Sequence, residues 1–195
     1  MAKARSELPR TVEEFDRWNA QQPARWEFIG GVPVMMAPAA NNHSLVKGNI
    51  FATLHAKLRS GPCRPIVDGP EVRSAKLVAI PDVVVTCEVI DGRSGIVGRP
   101  VLLVEVISPS SERNDTQHKW HSYCLIPSLQ HYLVVSQEER FLILHTRTGA
   151  SSFHETMHSD GQIELPAIGV TLTLDEIYDG IDFGPDDALA CHRAD

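Results

Sequence analysis

The sequence lacks the long apolar runs, signal segment and paired cysteines that define several common protein classes. Its 195 residues contain no hydrophobic stretch of transmembrane length, and polar sequence follows the N-terminal segment MAKARSELPR. The four cysteines are widely spaced and form no C-x-x-C pair, so we expect buried or incidental thiols and neither a zinc knot nor a disulfide framework. We therefore expect an intracellular, cytoplasmic protein with no membrane partner.

Positive charge is also scarce. The chain has 18 Lys and Arg residues against 25 Asp and Glu residues, for a formal net charge of -7. Because neutralisation of phosphates supplies most non-specific affinity for DNA, this balance argues against a broad basic DNA-binding surface but leaves room for a local basic cleft. The sequence also has no G-x-S-x-G motif, P-loop or dinucleotide fingerprint, so the enzyme classes that depend on them gain no support.

Local patterns indicate both helices and strands in the first third of the chain. Thr11 and Glu14 form a capping box that predicts a short helix. The Gly30-Gly31 pair predicts a hairpin turn between two short strands. Apolar residues recur at every fourth position from Val46 to Leu58, which predicts a long amphipathic helix.

The rest of the chain is rich in predicted strands. The strand-like segments are CRPIV, EVRSAKLV, DVVVTC, VLLVEVI, HYLVVS and RFLILHT, with weaker signals around residues 153 and 163. One further helix is expected from about residue 114 to 125. We therefore predict a single domain over residues 11–183, of α/β or α+β class, with a mixed sheet flanked by helices and with tails at residues 1–10 and 184–195.

Two acidic residues stand in strongly apolar strands. Glu105 lies in the segment VLLVEVISPSS, and Asp82 begins the segment DVVV. An ionised carboxylate is costly to bury without a partner, and two carboxylates on neighbouring strands can hold a hard divalent cation such as Mg²⁺. Each residue taken alone also fits a structural interpretation, Asp82 as a turn residue after proline and Glu105 as the partner of a buried Lys or Arg.

The segment DTQHKWHSY places three polar residues on one face of a predicted helix. Asp115, Lys119 and Tyr123 recur at intervals of four. The Asp–Lys spacing alone is typical of an exposed ion pair. Because this helix follows the Glu105 strand, Lys119 could instead neutralise that carboxylate, or orient a water and stabilise transition-state charge.

The segment HETMH, residues 154–158, satisfies the H-E-x-x-H zinc pattern. Zinc chemistry of this type needs a helix that places His154 and His158 on one face beside Glu155, with Glu176 available as a third ligand. The flanking segments TGASS and SDG are turn-like, and the apolar positions fit a strand as well as a helix. A zinc hydrolase therefore stays an alternative.

Three segments of the chain resemble the Uma2 family, also called DUF820 and described as a putative restriction endonuclease domain of the PD-(D/E)XK nuclease superfamily. These segments are PDVVV, LLVEVISPSSERNDTQHKWHSY and IPSLQHYLVVSQ. The resemblance extends to WEFIGGVPVMMAPAANNHSLV upstream and LPAIGVTLTLDEIYDGI downstream, and so covers about residues 11–183. It implies a restriction-endonuclease-like mixed sheet flanked by helices.

The resemblance also implies a catalytic site. Asp82 and Glu105 would bind Mg²⁺ or Mn²⁺, helped by the carbonyl of Val106. The superfamily's lysine is expected two residues after the glutamate, where this chain has Ile107, so Lys119 is the candidate replacement. By this resemblance Glu27 is a fourth catalytic residue, and the supporting residues are His43, Asp115 and Tyr123.

The expected function is therefore that of a Mg²⁺-dependent endonuclease that hydrolyses phosphodiester bonds of nucleic acid, with DNA as the expected substrate. A homodimer is a candidate assembly, because restriction-type nucleases often cut both strands. The acidic charge and Ile107 favour an alternative, a non-catalytic nuclease-fold module that binds or assembles with other molecules. The zinc hydrolase using His154, Glu155 and His158 is the third hypothesis.

Overall fold

A mixed six-stranded sheet forms the centre of the computed structural model, which describes residues 8–107 and 115–184 and, at residues 115–117, the backbone alone. In chain order the elements are α1 (Val12–Asn19), β1 (Trp26–Ile29), β2 (Val32–Met35), α2 (Asn41–Leu58), β3 (Arg64–Val67), β4 (Val72–Ser74), β5 (Leu77–Ala79), β6 (Val83–Thr86), β7 (Pro100–Ile107), α3 (Asp115–Tyr123), β8 (His131–Ser136), β9 (Leu142–Arg147), β10 (Phe153–His158), β11 (Gln162–Leu165), β12 (Val170–Thr173) and α4 (Leu174–Ile177). Most of the two expected tails lies outside the described residues.

The central sheet has the strand order β10-β9-β8-β7-β6-β3. Its pairs are antiparallel except for β7 and β8, which are parallel and are joined through α3. A second sheet has the order β2-β1-β5-β4, and β11 pairs with β12 in a separate hairpin. The mixed sheet and flanking helices expected from the sequence are confirmed.

Each face of the central sheet is covered by a different layer. One face packs against α2, the β11–β12 hairpin and α4, and Leu102 and Val104 of β7 point to this side. The other face packs against the second sheet and the end of α3, and Leu103 points to that side. Because both faces are covered, the first three residues of β6 are all valine. Glu105 follows the alternation and lies on the same side as Leu103.

The predicted local elements form where the patterns place them. The Thr11 hydroxyl accepts a hydrogen bond from the Glu14 amide at 3.2 Å and so begins α1. Gly30 and Gly31 both adopt positive φ, which the tight turn between β1 and β2 requires. The apolar stripe of α2 is fully buried, at residues 46, 50, 54 and 58. No helix within the described ranges is both long and apolar enough to cross a bilayer.

Two cysteines differ from the expectation of separate thiols. Cys63 and Cys87 form a disulfide. Cys63 directly precedes β3 and Cys87 directly follows β6, and these strands pair with Arg64 opposite Thr86. The two cysteines therefore meet across the strand pair, a contact between positions 24 residues apart that their sequence spacing did not reveal.

A buried histidine in the central sheet makes folding sensitive to acid. His131 is 1% exposed; its Nε2 accepts the Ala167 amide at 3.3 Å, and its Nδ1 lies 3.4 Å from the Thr146 hydroxyl. Burial lowers the pKa of His131 to about 4. Because the folded pKa lies below the ordinary value of about 6.5, the neutral ring stabilises the fold above that pH, and the contribution is lost as pH falls towards 4.

We expect the His131→Gln variant to lose part of this acid sensitivity. In the wild type, His131 contributes a fall in unfolding free energy of up to about 1.4 kcal/mol per pH unit between pH 6.5 and 4. Urea denaturation across this range should show a shallower pH dependence for His131→Gln. The matched control is His154→Gln, at an exposed position of β10, which should keep the wild-type slope. Equal slopes in all three proteins would contradict the prediction.

Candidate active site

The pairing of β6 with β7 brings Asp82 and Glu105 together. Val83 lies opposite Val104 in the antiparallel register, and one step further along the same register Asp82 faces Glu105. Asp82 Oδ2 accepts a hydrogen bond from the backbone amide of Val106 at 2.8 Å. Asp82 is thus fixed to the strand that carries Glu105, and both residues line one cleft of about 760 Å³.

Lys119 of α3 lies between two buried glutamates. Its Nζ is 3.1 Å from Oε1 of Glu105 and 3.0 Å from Oε2 of Glu27. The Tyr123 hydroxyl donates to Oε1 of Glu105 at 2.9 Å, and the Ile80 amide donates to Oε1 of Glu27 at 2.8 Å. Residues from two sheets and one helix therefore converge on a single charged cluster.

The buried charges strongly affect one another's pKa. Burial, together with the nearby carboxylates of Glu27 and Asp82, raises the pKa of Glu105 to about 7, although Lys119 and Tyr123 act in the opposite direction. Burial alone would lower the pKa of Lys119, but the carboxylates of Glu105 and Glu27 hold it above its ordinary value. Lys119 therefore remains an ammonium group at neutral pH, suited to electrostatic stabilisation and not to general-base catalysis.

An aromatic cluster holds α3 against the central sheet. The ring of Trp120, the residue after Lys119, stacks on His145 with centroids 4.2 Å apart and on Tyr132 at 5.6 Å. Tyr123 contacts Tyr132 edge-on at 5.3 Å. These contacts fix the rotation of α3 and so aim Lys119 and Tyr123 at Glu105.

Helix α2 contributes basic residues to the same cleft. His43 Nε2 lies 2.8 Å from Oδ1 of Asp82, and Lys47 Nζ lies 3.9 Å from the same oxygen. Lys47 also contacts Asp68 at 2.7 Å. Asp68 follows β3 with a φ of +57°, a left-handed conformation that aspartate tolerates better than most residues. The cleft therefore has an acidic floor and a partly basic rim.

The carboxylate oxygens of the cleft are of the donor type that a hard divalent cation prefers. Mg²⁺ prefers oxygen ligands and is often held by one or two carboxylates while it keeps several waters. Lys119 and Tyr123 both contact Oε1 of Glu105. Oε2 of Glu105 accepts no hydrogen bond from any described residue. Across the described ranges, no group of three His, Cys, Asp or Glu side chains is arranged to enclose a metal. Asp82 and Glu105 are the carboxylates of the cleft that could each supply a ligand to a hydrated cation. Both oxygens of Asp82 already contact protein groups, the Val106 amide and the His43 ring.

The sequence did not predict three residues of the cleft. Tyr132 is fully buried, and its hydroxyl has no hydrogen-bond partner among the described residues. Lys47 and Arg25 also line the cleft. The spacing of four between His43 and Lys47 was the one usable signal, since it places both residues on one helix face. Tyr132 looked like an ordinary member of an apolar strand.

The structure contradicts the zinc hypothesis. His154, Glu155 and His158 lie on strand β10, where alternation sends Glu155 to the opposite side from the two histidines. Glu155 lies 3.5 Å from His145, and the proposed third ligand, Glu176, is bound by Lys57 and by the amide of residue 173. The helix that the H-E-x-x-H chemistry needs is absent from this segment because the residues pair with β9 along their whole length.

One predicted site residue falls outside the described side chains. Asp115 begins α3, but its side chain lies outside the described part of the structure, as do the SPSS residues 108–111. The structure brings together the other predicted residues at one cleft, namely Glu27, His43, Asp82, Glu105, Lys119 and Tyr123.

Comparisons with known proteins show clear similarities over most of the chain. The family model Uma2, described as "Putative restriction endonuclease", matches residues 12–175. An uncharacterized protein of Synechocystis sp. is 29% identical over 175 residues, which cover 88% of this chain and 92% of the relative. A second uncharacterized protein of that organism is 28% identical over 132 residues, covering 65% and 75%.

A solved structure supports the same fold. A protein of Anabaena variabilis, described as a putative nuclease belonging to DUF820, matches with a TM-score of 0.69 at 15% identity. The match covers 87% of this chain and 97% of that one. The mixed-sheet, restriction-endonuclease-like fold expected from the sequence is thereby confirmed.

We expect the Lys119→Met variant to be strongly destabilised at pH 8. Loss of the ammonium leaves the carboxylates of Glu105 and Glu27 buried beside each other, which should lower the unfolding free energy by about 3 kcal/mol. Lys57→Met is the matched control, because Lys57 forms a partly exposed ion pair with Glu176 and its loss should cost less than about 1 kcal/mol. Urea denaturation measures both, and equal losses would contradict a central role for Lys119.

Proposed function

Because this chain belongs to the Uma2 family of putative restriction endonucleases and has the fold of a DUF820 nuclease, we propose that it hydrolyses phosphodiester bonds of nucleic acid with Mg²⁺ or Mn²⁺. The observation that carries the proposal is the charged cluster of Glu105, Lys119 and Glu27, which lines one cleft with Asp82. Within the family resemblance this site corresponds to that of a PD-(D/E)XK nuclease.

The carboxylates of Asp82 and Glu105 would hold the cation. When bound, a divalent cation polarises a phosphate group and lowers the pKa of a coordinated water. The hydrogen bond from the Val106 amide fixes the Asp82 carboxylate, and the Tyr123 hydroxyl fixes Glu105. His43 contacts the other oxygen of Asp82 and so orients its plane.

Lys119 and Glu27 supply the remaining chemistry. Lys119 stays protonated, so its ammonium can stabilise the negative charge that develops on the phosphate oxygens during hydrolysis. Glu27 Oε2 contacts Lys119, and its carboxylate lines the cleft, where it can accept a hydrogen bond from the attacking water. In this assignment Lys119 fulfils the role of the lysine missing at Ile107.

The same proposal extends to substrate and setting. We propose that the substrate is DNA and that the protein acts in the cytoplasm. We also propose that residues 11–183 form a single domain. A homodimer is the proposed assembly if both DNA strands are cut. Asp115 is proposed to support the start of α3. The net charge of -7 and the presence of Ile107 favour a second candidate, a non-catalytic nuclease-fold module that binds or assembles with other molecules.

A cleavage assay with matched variants tests the proposal. Wild-type protein with Mg²⁺ or Mn²⁺ should cleave DNA, and Glu105→Gln should reduce the rate at least about a hundredfold because it removes a charged cation ligand. Glu164→Gln, at an exposed position on β11, should keep wild-type activity. Equal activity of the wild type and Glu105→Gln would contradict the nuclease mechanism.

Calorimetric titration with Mn²⁺, combined with the cleavage assay, separates the two candidate functions. Both a nuclease and a metal-binding but inactive relative would bind Mn²⁺ through Asp82 and Glu105, and Glu105→Gln would weaken that binding in either case. Binding without cleavage over a range of DNA substrates would favour the non-catalytic module. Absence of Mn²⁺ binding by the wild type would contradict the cation site itself.

A further inference from the structure

Tyr132 of β8 lies between the central sheet and α3, with its ring held on several sides. In the parallel register of β7 and β8 it lies opposite Leu103, and both side chains pack on the sheet face that carries Glu105. The Tyr132 ring stacks on Trp120 and contacts Tyr123 edge-on, with centroids 5.6 Å and 5.3 Å apart. The whole side chain is buried. These contacts fix the ring and therefore the position of its hydroxyl oxygen.

The Tyr132 hydroxyl is a buried donor that has no hydrogen-bond partner among the described residues. Tyr132 lines the cleft together with Glu27, Asp82 and Glu105. Burial, together with these three nearby carboxylates, raises the pKa of the hydroxyl well above its ordinary value. The hydroxyl therefore keeps its proton, and the negative charge around it favours donation over acceptance. Buried hydroxyls without partners are rare in folded proteins, so this one requires an explanation.

An acceptor in the same part of the cleft also has no described partner. The Tyr123 hydroxyl and the Lys119 ammonium both contact Oε1 of Glu105, at 2.9 Å and 3.1 Å. Oε2 of the same largely buried carboxylate accepts no hydrogen bond from any described residue. One unpaired donor and one unpaired acceptor thus lie close enough for the charge of Glu105 to affect the pKa of Tyr132, but not in contact.

We propose that Tyr132 is a further positioning residue of the candidate active site, whose hydroxyl donates to a water molecule that in turn donates to Oε2 of Glu105. A nucleic-acid phosphate is too large to reach a fully buried hydroxyl, whereas a single water is small enough to lie beside it. This water gives both groups a partner. The Glu105 carboxylate is then held at both oxygens, by Tyr123 directly and by Tyr132 through the water.

This arrangement bears on the proposed cation. Oε2 is the oxygen of Glu105 that protein donors leave available, and Mg²⁺ and Mn²⁺ usually keep several waters among their ligands. A water that Tyr132 already orients beside Oε2 would help to fill the shell of a cation bound there. Groups that orient metal ligands in this indirect way typically change metal affinity about tenfold or more. The effect on cation binding rests on the proposed function, whereas the water itself does not.

Crystal structures at a resolution that orders internal waters test the proposal directly. Metal-free wild-type crystals grown with EDTA should contain a water within about 3 Å of both the Tyr132 hydroxyl and Oε2 of Glu105. Crystals of Tyr132→Phe should lack this water. A wild-type structure without it, or with a protein side chain bonded to the Tyr132 hydroxyl in its place, would overturn the proposal.

The Tyr132→Phe variant should also separate cation binding from stability. The substitution removes only a hydroxyl that has no described protein partner, so the thermal midpoint should stay close to that of the wild type. Calorimetric titration should show about tenfold weaker binding of Mn²⁺. A lower thermal midpoint with unchanged Mn²⁺ affinity would show a merely structural hydroxyl and would overturn the positioning role.

Tyr178→Phe is the matched control. Tyr178 is also buried but packs on the other face of the central sheet, and its hydroxyl lies 2.7 Å from the Phe141 carbonyl and 3.1 Å from the Ser136 carbonyl. Loss of these protein contacts should lower the thermal midpoint by about 3 °C and leave Mn²⁺ affinity at the wild-type value. Equal weakening of Mn²⁺ binding in Tyr132→Phe and Tyr178→Phe would contradict a specific role for Tyr132.

The positioning role and the proposed function fail on different results. If the wild type binds no Mn²⁺, the cation site is rejected, and the metal-free crystals still decide whether Tyr132 holds the water. If cleavage depends on Glu105 but the metal-free crystals contain no such water, the nuclease is kept and the role of Tyr132 is rejected.

Discussion

The buried ammonium of Lys119 is the interaction on which the site depends. Glu105 and Glu27 come from different sheets, and their largely buried carboxylates would repel each other. Lys119 contacts both and so permits the second sheet and α3 to pack over the central sheet at this point. A buried cluster of this kind contributes little to stability when complete but is costly to break, which makes it suited to holding charges for a function.

The fold places each charge through a different element. The register of β6 and β7 puts Asp82 opposite Glu105. The connection from β7 to its parallel neighbour β8 contains α3 and places it over the sheet face that carries Glu105. The aromatic contacts of Trp120 with Tyr132 and His145 then fix the rotation of α3. Helix α2 reaches the cleft with its first turns from one face of the central sheet, whereas Glu27 and Lys119 come from the layer on the other face.

Features that follow from local pattern could be predicted, and features that follow from packing could not. The stripe from Val46 to Leu58 and the Gly30-Gly31 turn depend on nearby residues and were predicted with the correct boundaries to within a few residues. The contact of Glu27 with Lys119 joins residues 92 positions apart on separate elements, β1 and α3, and the Cys63–Cys87 disulfide depends on the strand register. The segment HETMH is a local pattern that suggested a function the structure does not support. It matches a zinc motif, but that chemistry needs a helix and the segment forms strand β10.

The most direct test of the central claim is the anomalous diffraction of Mn²⁺ in crystals of the protein. The account predicts a manganese peak within coordination distance of the carboxylates of Asp82 and Glu105, with oxygen ligands from solvent completing its shell. A crystal with no peak in the cleft at millimolar Mn²⁺, or with its peak at His154 and His158 on β10, would contradict the account.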